Sequence, residues 1–255
     1  MEALANPDCG WFYRANASRF EAIPGSPIAY WVKPNVLKAF DHLIPMSTIA
    51  SPKQGLATGN NDMFIRHWWE VSIDCIGMDC SDRNDAKECG SKWFPCNKGG
   101  GFRKWFGNNE LVVNWENDGI AIRSFFKNGK QASRPQNMDW YFKEGITWGT
   151  ISSADLSMRY SPQGFMFETK GSMCFAKSHE DLIFCLAYTN SSLVKAFMKV
   201  LSPTLDYHEG PLGKLPLAIA NEQTVVNYAK KSVQIAKKDW DAFEISWDFV
   251  RHPLV

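Results

Sequence analysis

The chain has 255 residues, 45% of them hydrophobic and 22% charged, the balance of a folded globular protein. Its net charge of +1 excludes a global field that would gather nucleic acid or anionic membrane, so any electrostatic site must be local. No run of 18 apolar residues occurs, and no membrane partner is expected. The N-terminus has no basic-then-apolar export pattern, and the seven irregularly spaced cysteines read as reduced thiols of a cytoplasmic protein.

Residues 1–22 have no clear period and read as a tail or linker. Residues 23–32 carry prolines that push the backbone into extended conformations. A short helix follows, with Val36, Leu37, Phe40 and Leu43 at helical spacing and Pro34 in its first turn. Residues 47–64 read as a loop rich in Gly and Asn, and 64–73 as an alternating strand. Residues 79–90 are polar and read as a surface loop. A strand over 110–116, a helix over 118–129 and strands over 145–153 and 164–169 come next. From His179 the period becomes helical in two pieces broken near Asn190. Residues 210–217 read as extended, and 221–249 as a long amphipathic helical stretch. The expected fold class is α+β, a mixed sheet with flanking helices followed by a long C-terminal helix.

Cys75, Cys80, Cys89 and Cys96 fall in one stretch, but no pair is separated by two residues, so a zinc site is not expected. The five histidines are scattered, and no Gly-x-Ser-x-Gly nucleophile motif occurs. The sequence "KWFPCNKGGGFRKWFGNNELVVNWENDG" has three consecutive glycines but lacks the Gly-Lys-Ser/Thr of a phosphate loop and the Gly-x-Gly-x-x-Gly spacing. Between Lys98 and Arg134 seven Lys and Arg stand against three Asp and Glu, a local excess of +4. Cations beside Trp93, Phe102, Trp105 and Phe106, on a glycine backbone that permits close approach, form the pattern of a nucleic-acid surface. The rival is a solvated basic face. A metal-dependent nuclease using Glu116, Asp118 or Glu168 is the enzymatic alternative, and no catalytic or metal residue is assigned beyond it.

Several segments together resemble the C-terminal half of BREX-type (PglX-like) adenine-specific DNA methyltransferases: "IPGSPIAYWV", "SPKQGLATGNNDMFIRHWWEV", the glycine-loop segment, "RPQNMDWYFKEGITWGTISSADLSMRYSPQGFMFE" and "DWDAFEISWDFVRHPL". The resemblance runs from about Ile23 to Val255. It implies a DNA target-recognition domain over 23–220, similar to those of type I restriction specificity subunits, and a helical spacer over 221–255. It also implies double-stranded DNA and a methyltransferase domain or subunit as partners, with other defence-system proteins. The methyl-donor fold and its Asn-Pro-Pro-Tyr motif are not in these residues, so no cofactor is expected here and S-adenosylmethionine belongs to the missing portion. The chain alone is expected to be non-catalytic, and its alternative role is an interaction module for the methyltransferase.

On this reading Lys53, Lys98, Arg103, Lys104, Arg123 and Lys127 neutralise phosphates. Gln54, Asn60, Asn61, Asn108, Asn109 and Gln136 are base-reading candidates, because Asn and Gln pair bidentately with adenine in the major groove. Arg66, Arg134 and Arg159 are candidates for guanine.

Overall fold

The computed structural model describes residues 5, 6, 8–12, 14–16, 18–21 and 23–255. The expected tail over 1–22 therefore lies partly outside the described residues; within it, Ser18–Glu21 makes one helical turn. Among the described residues no helix is long and apolar enough to cross a membrane.

The architecture is α+β, built on two four-stranded sheets. α1 (Pro34–His42) starts at its proline, as the spacing predicts. β1 (Ile44–Pro45) and β2 (Ala50–Lys53) follow. α2 (Asn61–Phe64) leads into β3 (Ile65–His67). α3 (Arg83–Glu88), β4 (Trp93–Asn97), β5 (Leu111–Asn114) and α4 (Glu116–Arg123) come next. β6 (Phe126–Lys127) and β7 (Lys130–Gln131) form a hairpin. β8 (Gly145–Trp148), β9 (Met158–Ser161), β10 (Met166–Phe167) and β11 (Met173–Ala176) complete the sheets. α5 (His179–Thr189), α6 (Ser192–Leu201), α7 (Glu209–Gly213), β12 (Pro216–Leu217) and α8 (Glu222–Trp240) close the chain.

The first sheet has the order β10-β4-β5-β3, with β10 and β4 parallel and the other pairs antiparallel. The second has the order β2-β11-β8-β9, antiparallel throughout. Each sheet has its own core. Phe94, Val113, Trp115, Tyr141, Phe142 and Phe167 fill the first. Ile146, Trp148 and Met158 meet Leu182, Leu186, Phe197 and Val226 from the helices in the second. The Trp148 ring is fully buried, and its indole N–H donates to the Tyr207 carbonyl at 2.7 Å.

The sheets join at a seam of backbone. Leu56 beyond β2 pairs with Glu168 beyond β10: Leu56 N–H donates to the Phe167 carbonyl at 2.9 Å and Thr169 N–H to the Leu56 carbonyl at 3.0 Å. Glu168 N–H donates to the Asn97 carbonyl at the end of β4, 2.8 Å away. The approach is close enough to require glycine. A Cβ on Gly55 would lie 2.1 Å from the Phe167 carbonyl oxygen, and one on Gly171 would lie 2.5 Å from the Asn97 carbonyl. The buried Asn97 side chain crosses the seam, donating to Ser161 Oγ at 2.8 Å.

Several local expectations are corrected. The loop over 47–64 contains β2 and α2, because Asn60 caps a helical turn that Gly and Asn content alone conceals. The loop over 79–90 contains α3, whose N-cap Asp82 accepts from the N–H groups of Asn84 and Asp85. The strand over 64–73 stops at His67, where 3₁₀ turns take over. The helix over 118–129 ends at Arg123, and Asn128-Gly129, both at positive φ, turn the β6–β7 hairpin. The extended stretch over 210–217 is α7 and then β12. The helix from 221 ends at Trp240, not 249. The segment after it packs back on the first sheet: Trp247 stacks on Trp68 at 5.3 Å, and Trp68 Nε1 donates to the Ile245 carbonyl at 2.9 Å.

Gly171→Ala is expected to destabilise the fold by about 1–3 kcal/mol or more, since the added methyl meets backbone that cannot yield. Gly101→Ala, whose Cβ meets nothing within 4 Å, is expected to stay within about 0.5 kcal/mol of wild type. Urea denaturation of the two variants checks the contrast.

Candidate nucleic-acid interface

The seam delivers β4 to the surface. Beyond Asn97 the chain turns out through Lys98 and the three glycines. Gly99 (φ +93°) packs on the Lys170 carbonyl and on Gly149, and a Cβ there would lie 2.7 Å from the Lys170 oxygen. A Cβ on Gly100 (φ +103°) would lie 2.7 Å from Asn108 Nδ2. At the far end of the loop Trp105 continues the sheet as a bridge to Arg159 on β9, with Trp105 N–H donating to Met158 O at 2.8 Å and Tyr160 N–H to Trp105 O at 2.8 Å.

Arg159 lies beneath this loop and is 1% exposed. One guanidinium nitrogen, Nη2, donates to the Gly99 carbonyl at 2.8 Å, while Nε and Nη1 are buried with no protein partner. Burial pulls its pKa down to about 10, Glu110 acting against the shift and Arg103 adding to it, so the group stays charged at neutral pH. Arg159 is thus a post holding the loop from below. Its expected role as a guanine reader is corrected by its burial.

The other sequence candidates divide into three groups. Asn61, Arg66 and Lys98 converge on one open cleft of about 350 Å³, which Asp62, Ile65, His67, Glu70 and Leu111 also line. Arg66 Nη1 donates to the Asp62 and Ile65 carbonyls, and its guanidinium lies 6.0 Å from the Trp93 ring centroid. Asn61 accepts from Thr58 Oγ1 at 2.6 Å, and Asn60 caps α2 beside it. His67 stacks on Trp69 at 4.5 Å, and Glu70 accepts from the His67 N–H at 2.7 Å. The cleft therefore offers donors and acceptors side by side.

A second group surrounds Gln54. Its carbonyl accepts from Asn137 Nδ2 at 2.9 Å, its Oε1 from Arg134 Nη2 at 3.5 Å, and Gln136 stands two residues on with a buried Oε1 that has no protein partner. Lys53, the residue before Gln54, lies 5.4 Å from the Trp140 ring. Lys127 is exposed on the β6–β7 hairpin.

The third group has structural employment. Arg103 pairs with Asp239 at 2.6 Å, donates to Phe106 O and lies 5.0 Å from the Trp240 ring, so it ties the loop to α8. Lys104 Nζ donates to the Asn190 carbonyl at 2.7 Å and faces a different cavity, of about 370 Å³, along α6. Arg123 pairs with Asp118 at 2.6 Å. Asn108 (φ +59°) donates to the Gly101 carbonyl at 2.9 Å and braces the loop. Asn109 is buried and its carbonyl accepts from Trp247 Nε1, so its base-reading assignment is corrected. The +4 excess of the sequence is therefore spread over several faces and partly neutralised.

Two of the three nuclease carboxylates hold other posts, and Glu116 is exposed. Asp118 sits in a left-handed turn, Asn117 to Gly119 at φ +52° to +67°, where Arg83 (2.5 Å) and Arg123 both grip it. Its side-chain bond raises the Arg83 pKa against the opposing effect of burial. Glu168 is buried and caps the seam turn, accepting from Lys170 N–H at 2.7 Å and Thr169 Oγ1 at 2.8 Å. Among the described residues no three His, Cys, Asp or Glu side chains gather as a metal site. All seven cysteines are free thiols. Burial, with the neighbouring Cys89, pushes the Cys80 pKa up to about 12, so this thiol is protonated at neutral pH.

Sequence reasoning missed Asp62, His67 and Glu70. Their signal lies in "NDMFIRHWWE", where polar residues recur at the end of a strand, a pattern that by itself shows only alternation.

The chain is similar to adenine-specific methyltransferases. It is 40% identical over 258 residues to the adenine-specific methyltransferase PglX of Lacticaseibacillus casei (strain Zhang), a match that covers 100% of the chain and 21% of the relative. It is 40% identical over 240 residues to the adenine-specific methyltransferase BrxX of Escherichia coli O9:H4 (strain HS), covering 92% of the chain and 18% of the relative. The chain thus spans about a fifth of the length of these curated relatives. No family model matches it.

Arg159→Met is expected to change global stability by less than about 1 kcal/mol, because one hydrogen bond is lost while an underpartnered buried charge is removed. It is also expected to speed amide hydrogen exchange across 99–102. Urea denaturation and hydrogen exchange read the two effects separately, and unchanged exchange would show that the loop does not lean on Arg159.

Proposed function

We propose that this chain is the target-recognition part of an adenine-specific DNA methyltransferase and reads double-stranded DNA. The observation that carries the reading is the cleft where Asn61, Arg66 and Lys98 meet Asp62 and Glu70 at the foot of the glycine loop. Base edges in the major groove present both donors and acceptors. Arg suits guanine, Asn suits adenine, and a carboxylate accepts from cytosine. Lys98, on the glycine backbone, is the phosphate contact that sets register. The Gln54–Arg134 group offers further polar contacts. The 40% identity to adenine-specific methyltransferases supports the same reading. Methyl transfer and the binding of S-adenosylmethionine are assigned to the portion of the polypeptide outside these residues.

A second role is compatible with the first. Tyr228 and Ile235 are 67% and 71% exposed on α8 and seven residues apart, so they share one face. That stripe suits docking on the methyltransferase portion or on another defence-system protein.

Two substitutions separate reading from anchoring. Lys98→Ala is expected to weaken binding to all duplexes alike and to reduce the slope of log K against log salt by about one. Arg66→Ala is expected to cost about 1–3 kcal/mol and to relax preference at one base pair. Fluorescence anisotropy titrations over a range of salt, with duplexes selected from a random library, measure both. Unchanged affinity and selectivity in both variants would remove DNA recognition from this cleft.

A further inference from the structure

Phe102 is an exposed aromatic on the glycine loop that does not line the cleft. It follows Gly99, Gly100 and Gly101 in the exposed part of the loop, and it is 55% exposed. Exposed phenylalanine forfeits the stabilisation that burial would bring. Yet its support is tightly built. The Gly99 carbonyl is held from below by buried Arg159, and the Gly101 carbonyl by Asn108. On its other side Arg103 is fixed to Phe106, Asp239 and the Trp240 ring.

The glycines divide the labour. At Gly99 and Gly100 a Cβ would strike the Lys170 oxygen or the Asn108 side chain, so the base of the loop is pressed onto the protein. At Gly101 a Cβ would meet nothing within 4 Å, so the tip stands clear. Among the described residues no ring or cation stacks on Phe102. An apolar ring, about half of it exposed, is thus presented on a braced arm. Lys98, four residues earlier, lines the cleft. Four residues of extended chain span at most about 14 Å, so the ring stays within a few base-pair steps of whatever the cleft holds.

We propose that Phe102 is a wedge that enters the base stack of bound duplex DNA and opens one step beside the bases read by the cleft. Apolar side chains inserted between base pairs unstack and kink a duplex. A base that is to receive a methyl group must first leave its stack, so an opened step next to the recognition site serves that chemistry. The inference rests on the DNA reading given above. Its rival is that Phe102 seats in a protein partner.

The test uses the 255-residue chain and a duplex recovered with it from a random library, with 2-aminopurine scanned through the bound sequence. Wild type is expected to raise the 2-aminopurine fluorescence at one position several-fold. Phe102→Ala is expected to bind the same duplex within about threefold, since phosphate contacts dominate affinity, and to lose most of the rise. Phe102→Leu is expected to retain part of it, and equal melting temperatures would show that both variants are folded. A full rise with Phe102→Ala overturns the wedge and assigns the ring to a protein contact. Wild-type binding with no rise at any position overturns the wedge and leaves DNA recognition standing. Failure of wild type to retain any duplex overturns DNA recognition and the wedge together.

Discussion

Backbone contact at the seam is the constraint on which the rest of the molecule depends. Gly55 and Gly171 lie so close to Phe167 and Asn97 that no side chain fits between them. Because of that contact, β2 and its continuation pass from the second sheet to the edge of the first, and β4 ends where the two sheets meet. The hydrogen bonds among Leu56, Phe167, Thr169, Glu168 and Asn97 are then all backbone bonds made inside the protein, where leaving them unmade would be costly. The two cores, one under each sheet, are held in register by this seam.

The proposed recognition surface is a consequence of the same geometry. A strand that ends at a sheet junction must leave it abruptly, and Gly99 and Gly100 provide the positive φ angles that this exit requires. The exit carries Lys98 to the cleft formed at the end of β3 and carries Phe102 past it. Beneath the exit Arg159 occupies a place that an apolar residue could fill more cheaply. Its one bond to the Gly99 carbonyl gives that cost a purpose, which is to hold the loop in a single position. Arg103 secures the other end against Asp239 and Trp240, so the long C-terminal helix and the loop are mechanically linked.

Charge in this molecule serves two ends. Of the basic residues that cluster in sequence between Lys98 and Arg134, Arg103, Lys104 and Arg123 spend their hydrogen bonds on the protein itself. Lys98 stays in the open cleft and Lys127 on an exposed hairpin. A duplex would therefore meet a small number of placed cations beside a mixed polar cleft, not a uniformly basic face. Such an arrangement favours selectivity over raw electrostatic affinity, because phosphate contacts contribute binding without sequence information.

Composition and local pattern alone determined that this is an α+β chain, roughly where its longer helices lie, and that the glycine loop lacks the residue spacing of a nucleotide loop. Those properties follow from residue spacing, capping chemistry and the φ demands of Gly, Pro and Asn, all local effects. The resemblance to BREX-type methyltransferases was likewise legible in the sequence. The short strands β2, β4 and β11 and the helix α3 were not, because four to six residues of ambiguous propensity are decided by what they pair with. Tertiary structure alone decided which cations are free. It buried Arg159 and Asn109 under the loop, gave Asp118 two arginines and joined His67 and Glu70 to Arg66 and Lys98. Burial and partner choice depend on contacts between residues far apart in the chain, and no local pattern of one sequence records them.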